Sequence, residues 1–291
     1  MKAKRIIDRF RIAPGERVHL EDLDPGYKGK DEKREALHKI AKLRDQMSDL
    51  QQRLFAGRKR SLLLCLQGLD AAGKDGVVKH VIGSMNPDGC RVANFKEPSQ
   101  EELAHDFLWR IEAQMPREGE IANFNRSHYE DVLIVRVHNL VPKSVWSKRY
   151  DQINDFERRH SENGTHILKF FLHISKEEQL RRFEQRLDDP TKRWKISEAD
   201  YSEREYWDDY VRAYEDAIAR CNTEESPWFV IPADHKWFRD LAVSEIIVAT
   251  LESMKIQLPQ PTVDIEEIRR KYHSAARHDK SAGRSHGRHP R

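Results

Sequence analysis

"LLLCLQGLDAAGKDGVVKHVI", residues 62–82, is the stretch on which the fold turns. Residues 62–66 form a short apolar run, the signature of a strand buried on both faces. A glycine turn follows, and then "KDGVVKHVI" reads as a helix. Gly68, Gly73 and Lys74 complete the pattern G-x-x-x-x-G-K. By chance alone that pattern arises in roughly one chain of this size in ten. The strand running in and the helix running out strengthen it. In that setting the backbone N–H groups of 69–74 and the helix start make an anion cradle, with Lys74 as a point charge on a phosphoryl group. The phosphate-binding assignment covers Gly68, Ala71, Ala72, Gly73, Lys74 and Asp75. The competing reading is a plain glycine-rich turn.

Two acids depart from the usual pattern. Asp75 stands where Ser or Thr normally follows the lysine, and Asp70 lies inside the loop. A carboxylate beside bound phosphate is repulsive unless a cation lies between them. Magnesium suits that place, or manganese instead, because it takes few carboxylates plus phosphate oxygens and water. Asp70 and Asp75 are therefore candidate metal residues, although an acid in a first helical turn also favours the macrodipole. A partner acid is expected at the end of a neighbouring strand. The strand "EIANF" runs instead into Asn125, Arg126 and Ser127, with Glu130 a turn later. Asn125 is a weaker ligand than Asp, and Glu130 completes the candidate metal set. Arg126 could grip a phosphate bidentately, or pair with Glu130 at helical spacing.

Outward from the loop, strands alternate with helices. "CRVANF", "EIANF", "HILKFFLHIS" and "WFVIPA" read as further strands. Helices are expected over 31–55 (stopping at Gly57), "SQEELAHDFLWRIEAQM", 143–160, "SKEEQLRRFEQRL", "SEADYSEREYWDDYVRAYEDAIARC" and 237–255. Ser99 with Glu102 and Ser175 with Glu178 stand at capping-box spacing. The alternation implies an α/β domain, a parallel sheet with helices on both faces. Residues 1–30 read as an irregular N-terminal arm, 31–260 as the domain, and 261–291 as a basic, disordered tail.

In "DDPTKRWKISEAD", 188–200, Lys192, Arg193 and Lys195 surround Trp194 between two helices. A mobile lid there would bring positive charge over a transferring phosphoryl group and exclude water. A solvated basic face is the plainer alternative. Trp207, Tyr210 and Tyr214 read as core residues of their helix rather than stacking platforms for a base.

The 291 residues are 38% hydrophobic and 35% charged, with no apolar run approaching a membrane span. The N-terminus lacks the apolar stretch of a secretory signal. The three cysteines form no C-x-x-C pair, which points to a reducing cytoplasm. Net charge is +3. The last 18 residues hold five Lys/Arg against one Asp, so the remainder is nearly neutral. A polyanion must therefore find a local groove rather than a global field.

Together "GLDAAGKDG", "FNRSHYEDVL", "RVHNLVP", "KFFLHISKEEQ", "RLDDPTKRWK", "WDDYVRAYEDAI" and "PADHKWFRDLAV" resemble the polyphosphate kinase type 2 family, in order from about residue 20 to 256. The "NRSHYEDVL" variant is similar to the subgroup acting on nucleoside mono- and diphosphates. The resemblance implies a P-loop kinase core, thymidylate-kinase-like, with a helical lid. It implies inorganic polyphosphate as donor, AMP, ADP, GDP or related nucleotides as acceptors, magnesium as cofactor, and a homo-oligomer of two or four subunits. It assigns catalysis to Asp70, Lys74, Arg126 and the lid residue Arg193, with Lys192 and Lys195 on phosphate. An acceptor phosphate is largely ionised near neutral pH, its second pKa being about 6. Alignment and charge neutralisation of an in-line transfer then suffice, without a phospho-enzyme. Two rivals are an ATP-dependent kinase using the same loop and a non-catalytic nucleic-acid-binding protein. The near-neutral body and the lack of aromatic-interleaved basic strands argue against the second.

Overall fold

The computed structural model describes residues 2–30 and 32–285. The strands are β1 (Ser61–Gln67), β2 (Cys90–Asn94), β3 (Ile121–Asn125), β4 (Thr165–His173) and β5 (Trp228–Pro232). They form one sheet in the order β2-β3-β1-β4-β5, every neighbouring pair parallel. All seven residues of β1 are buried, as a central strand covered on both faces requires. Leu62, Leu64 and Leu66 pack on one side with helices α2 (Lys33–Gly57) and α11 (Lys236–Ser253). Leu63 and Cys65 turn the other way, towards Phe124 and towards Phe156 of α7 (Lys143–Glu162). On that side α10 (Trp207–Arg220) adds Ala213, Tyr214 and Ala217 against Trp228 and Val230. Each buried leucine side chain contributes about 1.5–3 kcal/mol of transfer free energy.

The sheet reverses its direction of growth at β1. Leaving β1, the chain crosses to the β2 edge, returns through β3, and then continues on the other side with β4 and β5. Open α/β sheets bind ligands outside the carboxyl ends of the strands at such a switch point. Register places Leu66 beside Asn125 and Gln67 beside Phe171, so the exits of β1, β3 and β4 lie together.

The remaining helices, α1 (Lys2–Phe10), α3 (Lys74–His80), α4 (Gln100–Leu103), α5 (Trp109–Glu112), α6 (Ile134–Val137), α8 (Lys176–Asp188), α9 (Glu198–Glu205) and α12 (Ile265–Ser285), show where local signals mislead. The N-terminal arm is not irregular throughout. Its helix α1 leads into a bridge between Arg11 and Phe229, and Phe10, Ile12, Val18 and Leu20 are buried. Gly57 does not stop α2; it is the last helical residue, and Arg58 takes the left-handed cap. The helix expected over residues 99–115 is two short pieces. The Ser99–Glu102 capping box forms as expected, but Asp106 then caps a new turn through the Leu108 N–H at 3.0 Å. The helix expected over 197–221 breaks at Tyr206, which lets α9 lie by α8, with Tyr201 5.4 Å from Phe183, while α10 enters the core.

The chain divides into a unit ending at Ile256 and a second beginning at Gln257. In the second, α12 replaces the disordered tail expected from sequence. Local means build it: Asp264 caps the Glu266 and Glu267 N–H groups, and Glu266–Arg269 and Glu267–Lys271 pair along the helix. Residues 286–291 of that tail lie outside the described residues.

Candidate active site

The loop after β1 turns through three left-handed positions, Gly68 (φ +148°), Ala71 (φ +60°) and Gly73 (φ +109°). Gly68 must be glycine: a Cβ there would lie 2.8 Å from the Leu172 carbonyl oxygen on β4. Its N–H donates to the Tyr214 hydroxyl at 3.2 Å, and that hydroxyl donates to Gln67 at 3.3 Å. Gln67 in turn donates to Ser127 at 3.0 Å. One buried relay therefore joins the glycine loop to the turn after β3.

That turn carries Arg126, itself left-handed at φ +62°, with its N–H on the Leu66 carbonyl at 3.1 Å. Arg126 Nη2 lies 3.3 Å from Asp70 Oδ1, so the pairing observed runs across the two loops. Lys74 Nζ folds back on the Gly68 carbonyl at 2.6 Å and the Leu69 carbonyl at 3.3 Å. Burial, and then the Arg126 guanidinium, push the Lys74 ammonium below the ordinary lysine range against the pull of Asp70, Glu130 and Asp75. Burial pushes the Glu130 carboxyl up, against the pull of Arg126 and Lys74. For Asp75 burial acts upward too, but the Asn125 amide and the Lys195 ammonium outweigh it and hold the carboxyl low.

Beneath the turn lies a buried charge cluster that sequence reading missed. Glu157 of α7 accepts from Lys169 Nζ at 2.5 Å and from the Tyr129 hydroxyl at 2.8 Å, with His128 Nε2 at 3.1 Å. All four side chains are at most 2% exposed. Burial alone would raise the Glu157 carboxyl; Lys169 and His128 more than offset it. Burial keeps His128 neutral, below its ordinary value. The segment "RSHYE" is thus gripped from below while Arg126 and Glu130 face the loop.

These groups line a cleft of about 1530 Å³ at the carboxyl ends of the strands. Among the described residues, fourteen Lys and Arg side chains line it against seven carboxylates. Since the chain carries only +3 overall, the positive charge is concentrated where the glycine loop opens. Such a site suits a dense polyanion.

Residues 29–259 match the family model described as Polyphosphate kinase 2. This chain belongs to that family. It is 49% identical to the AMP/ADP-polyphosphate phosphotransferase of Meiothermus ruber over 262 residues, 89% of this chain and 98% of that one. It is 47% identical to the ADP-polyphosphate phosphotransferase of Rhodopseudomonas palustris over 270 residues, 87% of this chain and 92% of the other. The crystal structure of Polyphosphate Kinase 2 from Arthrobacter aurescens TC1 superimposes with a TM-score of 0.89 at 41% identity, covering 92% of this chain and 96% of that one. The fold is that of a P-loop kinase, and the chain is a phosphotransferase. Phosphoryl transfer in such kinases calls in general for a divalent cation.

Most sequence-derived candidates of this polyphosphate kinase converge. Gly68, Asp70, Ala71, Gly73, Lys74, Asp75, Asn125, Arg126, Glu130, Lys192 and Lys195 all line the cleft. Ala72 is fully buried behind the loop. Arg193 is not among the lining residues; its Nε donates to the Leu187 carbonyl at 2.8 Å, while Trp194 beside it is 78% exposed. Asn125 Nδ2 donates to Asp75 and to Asn94, each at 2.9 Å, so the amide nitrogen faces the carboxylate. Lys195 Nζ lies 3.4 Å from Asp75, linking the segment between α8 and α9 to the start of α3. Trp207, Tyr210 and Tyr214 pack in or against the core as expected, yet all three also reach the cleft. Sequence reading missed Arg182 and Arg239, whose distance along the chain hides their place at the loop. Among the described residues no helix is long and apolar enough to cross a membrane.

Proposed function

We propose that this kinase transfers the terminal phosphoryl group of inorganic polyphosphate to AMP, ADP, GDP or a related nucleotide, reversibly and in line. The observation that carries this is the basic cleft built on the glycine loop, in a chain whose relatives are named for that transfer. The donor's terminal phosphoanhydride bond breaks as an acceptor phosphate oxygen bonds to the same phosphorus, and the shortened chain leaves with the bridging oxygen. No proton needs removing, because the acceptor oxygen is already ionised. Lys74 exchanges the Gly68 and Leu69 carbonyls for the moving group, and Arg126 holds an equatorial oxygen. Lys192 and Lys195 close over the chain and exclude water.

Among the described residues no group of three or more His, Cys, Asp or Glu could by itself hold a metal ion. That fits magnesium, which takes one or two carboxylates and fills its shell with phosphate oxygens and water. Asp70, one-third exposed beside Arg126, is the natural anchor, with Glu130 behind it. Asp75 and Asn125 are already paired with each other. When bound, the cation would neutralise the charge of the transferring phosphoryl group. A dimeric or tetrameric assembly and a cytoplasmic location belong to the same proposal.

The test supplies polyphosphate, magnesium and ADP without ATP, and follows ATP by luminescence. ATP formation that scales with enzyme supports the proposal. No ATP from polyphosphate and ADP, in a preparation that instead consumes ATP when a nucleotide acceptor is added, would overturn it.

A further inference from the structure

We infer that Arg182 and Arg239 are positioning residues for the glycine loop, seating its carbonyl oxygens so that the Gly73 N–H meets the anion, while the Ala72 N–H closes the loop on the Leu69 carbonyl. This rests on the reading of the loop as the phosphate seat. Every N–H of Arg182 is engaged. Nε donates to Glu178 at 2.7 Å, Nη1 to the Ala71 and Ala72 carbonyls at 2.7 and 3.0 Å, and Nη2 to the Ala233 and Asp234 carbonyls at 2.5 and 3.1 Å. One planar guanidinium thus ties α8, the loop and the end of β5, which an ammonium with three donors cannot do. Arg239 adds a contact to the Ala72 carbonyl at 3.4 Å and is held by Asp240 at 2.7 and 2.9 Å. Both arginines are at most 4% exposed.

The peptide geometry gives these contacts a consequence. A trans peptide points its N–H opposite its C=O. Holding the Ala72 carbonyl therefore aims the Gly73 N–H the other way, and the guanidiniums cancel the carbonyl dipoles that would repel a polyphosphate. An independent observation comes from glycine placement. A Cβ at Gly73 would overlap Arg239 Nη1, and one at Gly76 would lie 2.7 Å from Nη2. Gly76 sits in the first turn of α3, where alanine would be the better helix former. The seat for Arg239 accounts for Gly76, and at Gly73 it adds to a left-handed φ of +109° that already calls for glycine.

The test uses the full chain as R182K, R239K, G76A and the double variant G76A/R239K. Steady-state rates with ADP give kcat and KM for polyphosphate. Differential scanning fluorimetry gives the Tm shift caused by sodium tripolyphosphate. Each single variant is expected to lose roughly 10- to 100-fold in kcat/KM for polyphosphate and most of the tripolyphosphate shift, while keeping the wild-type circular dichroism. G76A/R239K is expected to be no worse than the worse single, because both changes break one contact. Wild-type kcat/KM and Tm shift in R182K and R239K, or losses that multiply in the double variant, would overturn the inference. If R239K fails to fold, R182K and G76A decide by the same readouts. A wild-type chain inactive on polyphosphate sinks the functional reading, whereas the tripolyphosphate shifts still judge the arginines.

Discussion

Replacing Glu157 with Gln keeps the side chain's shape and removes one negative charge from a place water does not reach. Lys169, fully buried, would retain the Tyr129 hydroxyl at 3.1 Å and the Cys221 carbonyl at 2.5 Å as acceptors, but no counter-charge. Removing one partner of a buried pair costs about 3–5 kcal/mol, because the other charge stays buried and uncompensated. For a unit of this size that is a Tm lowered by roughly 6–20 °C. The sign with pH follows from Glu157, whose folded carboxyl is held below the ordinary value of 4.5. Its contribution is complete above that value and is lost as pH falls through the folded one. Thermal melts of wild type and E157Q should therefore lie far apart at pH 7 and converge below about pH 4.5. The paired change E157L/K169M, which removes both charges, should recover much of the loss. An E157Q melt within about 2 °C of wild type at pH 7, under 1 kcal/mol, would refute the reasoning. Because Tyr129 and His128 share this carboxylate, E157Q should also lower activity at temperatures where it stays folded.

Lys74 must be protonated to meet a phosphoryl group, and its folded pKa lies below 10.5, so kcat/KM should fall on the alkaline side before that value. A bound polyanion favours the ammonium, so the limb in kcat should lie higher; an unchanged profile in Lys74→Arg would contradict the assignment. Burial holds His128, His166 and His173 below their ordinary value of 6.5. Stability should therefore decline as pH falls below about 6.5, by up to about 1.36 kcal/mol per pH unit for each histidine. Urea melts of H128N should show a flatter slope, and an equal slope would clear His128 of that role. The cleft is lined by residues from Lys33 to Asp240, so a chain ending at residue 260 should keep the Tm and kcat of the full chain. A large loss of either would show that residues 261–291 serve the core.

The loop and its sheet were legible because their signals are local. An apolar run, a glycine pattern and a helix start occur within 21 residues, and β2, β3, β4 and β5 each announce themselves as short apolar segments. The site was legible where a motif sits at a strand end, as with Asp70, Lys74 and Arg126. It was not legible where partners come from far along the chain. Arg239 lies 167 residues from Ala72, and nothing local to "HKWFRDLAV" says that it fills the space left by Gly73 and Gly76. Arg126 illustrates the same limit: spacing suggested Glu130, whose charge does act on it, while folding added Asp70 at 3.3 Å from the neighbouring loop. Arg193 marks the limit within a single basic run: Lys192 and Lys195 line the cleft, while the backbone path turns the Arg193 Nε to the Leu187 carbonyl. α12 was missed because polar composition outweighed its Asp264 cap and its i,i+3 and i,i+4 charge pairs.

The most direct test is a crystal of the kinase grown with tripolyphosphate and magnesium. The account predicts a terminal phosphate about 3 Å from Lys74 Nζ, at hydrogen-bond distance, with a cation between it and Asp70. Phosphates bound elsewhere, with Lys74 still folded on the Gly68 carbonyl and nothing beside Asp70, would contradict it.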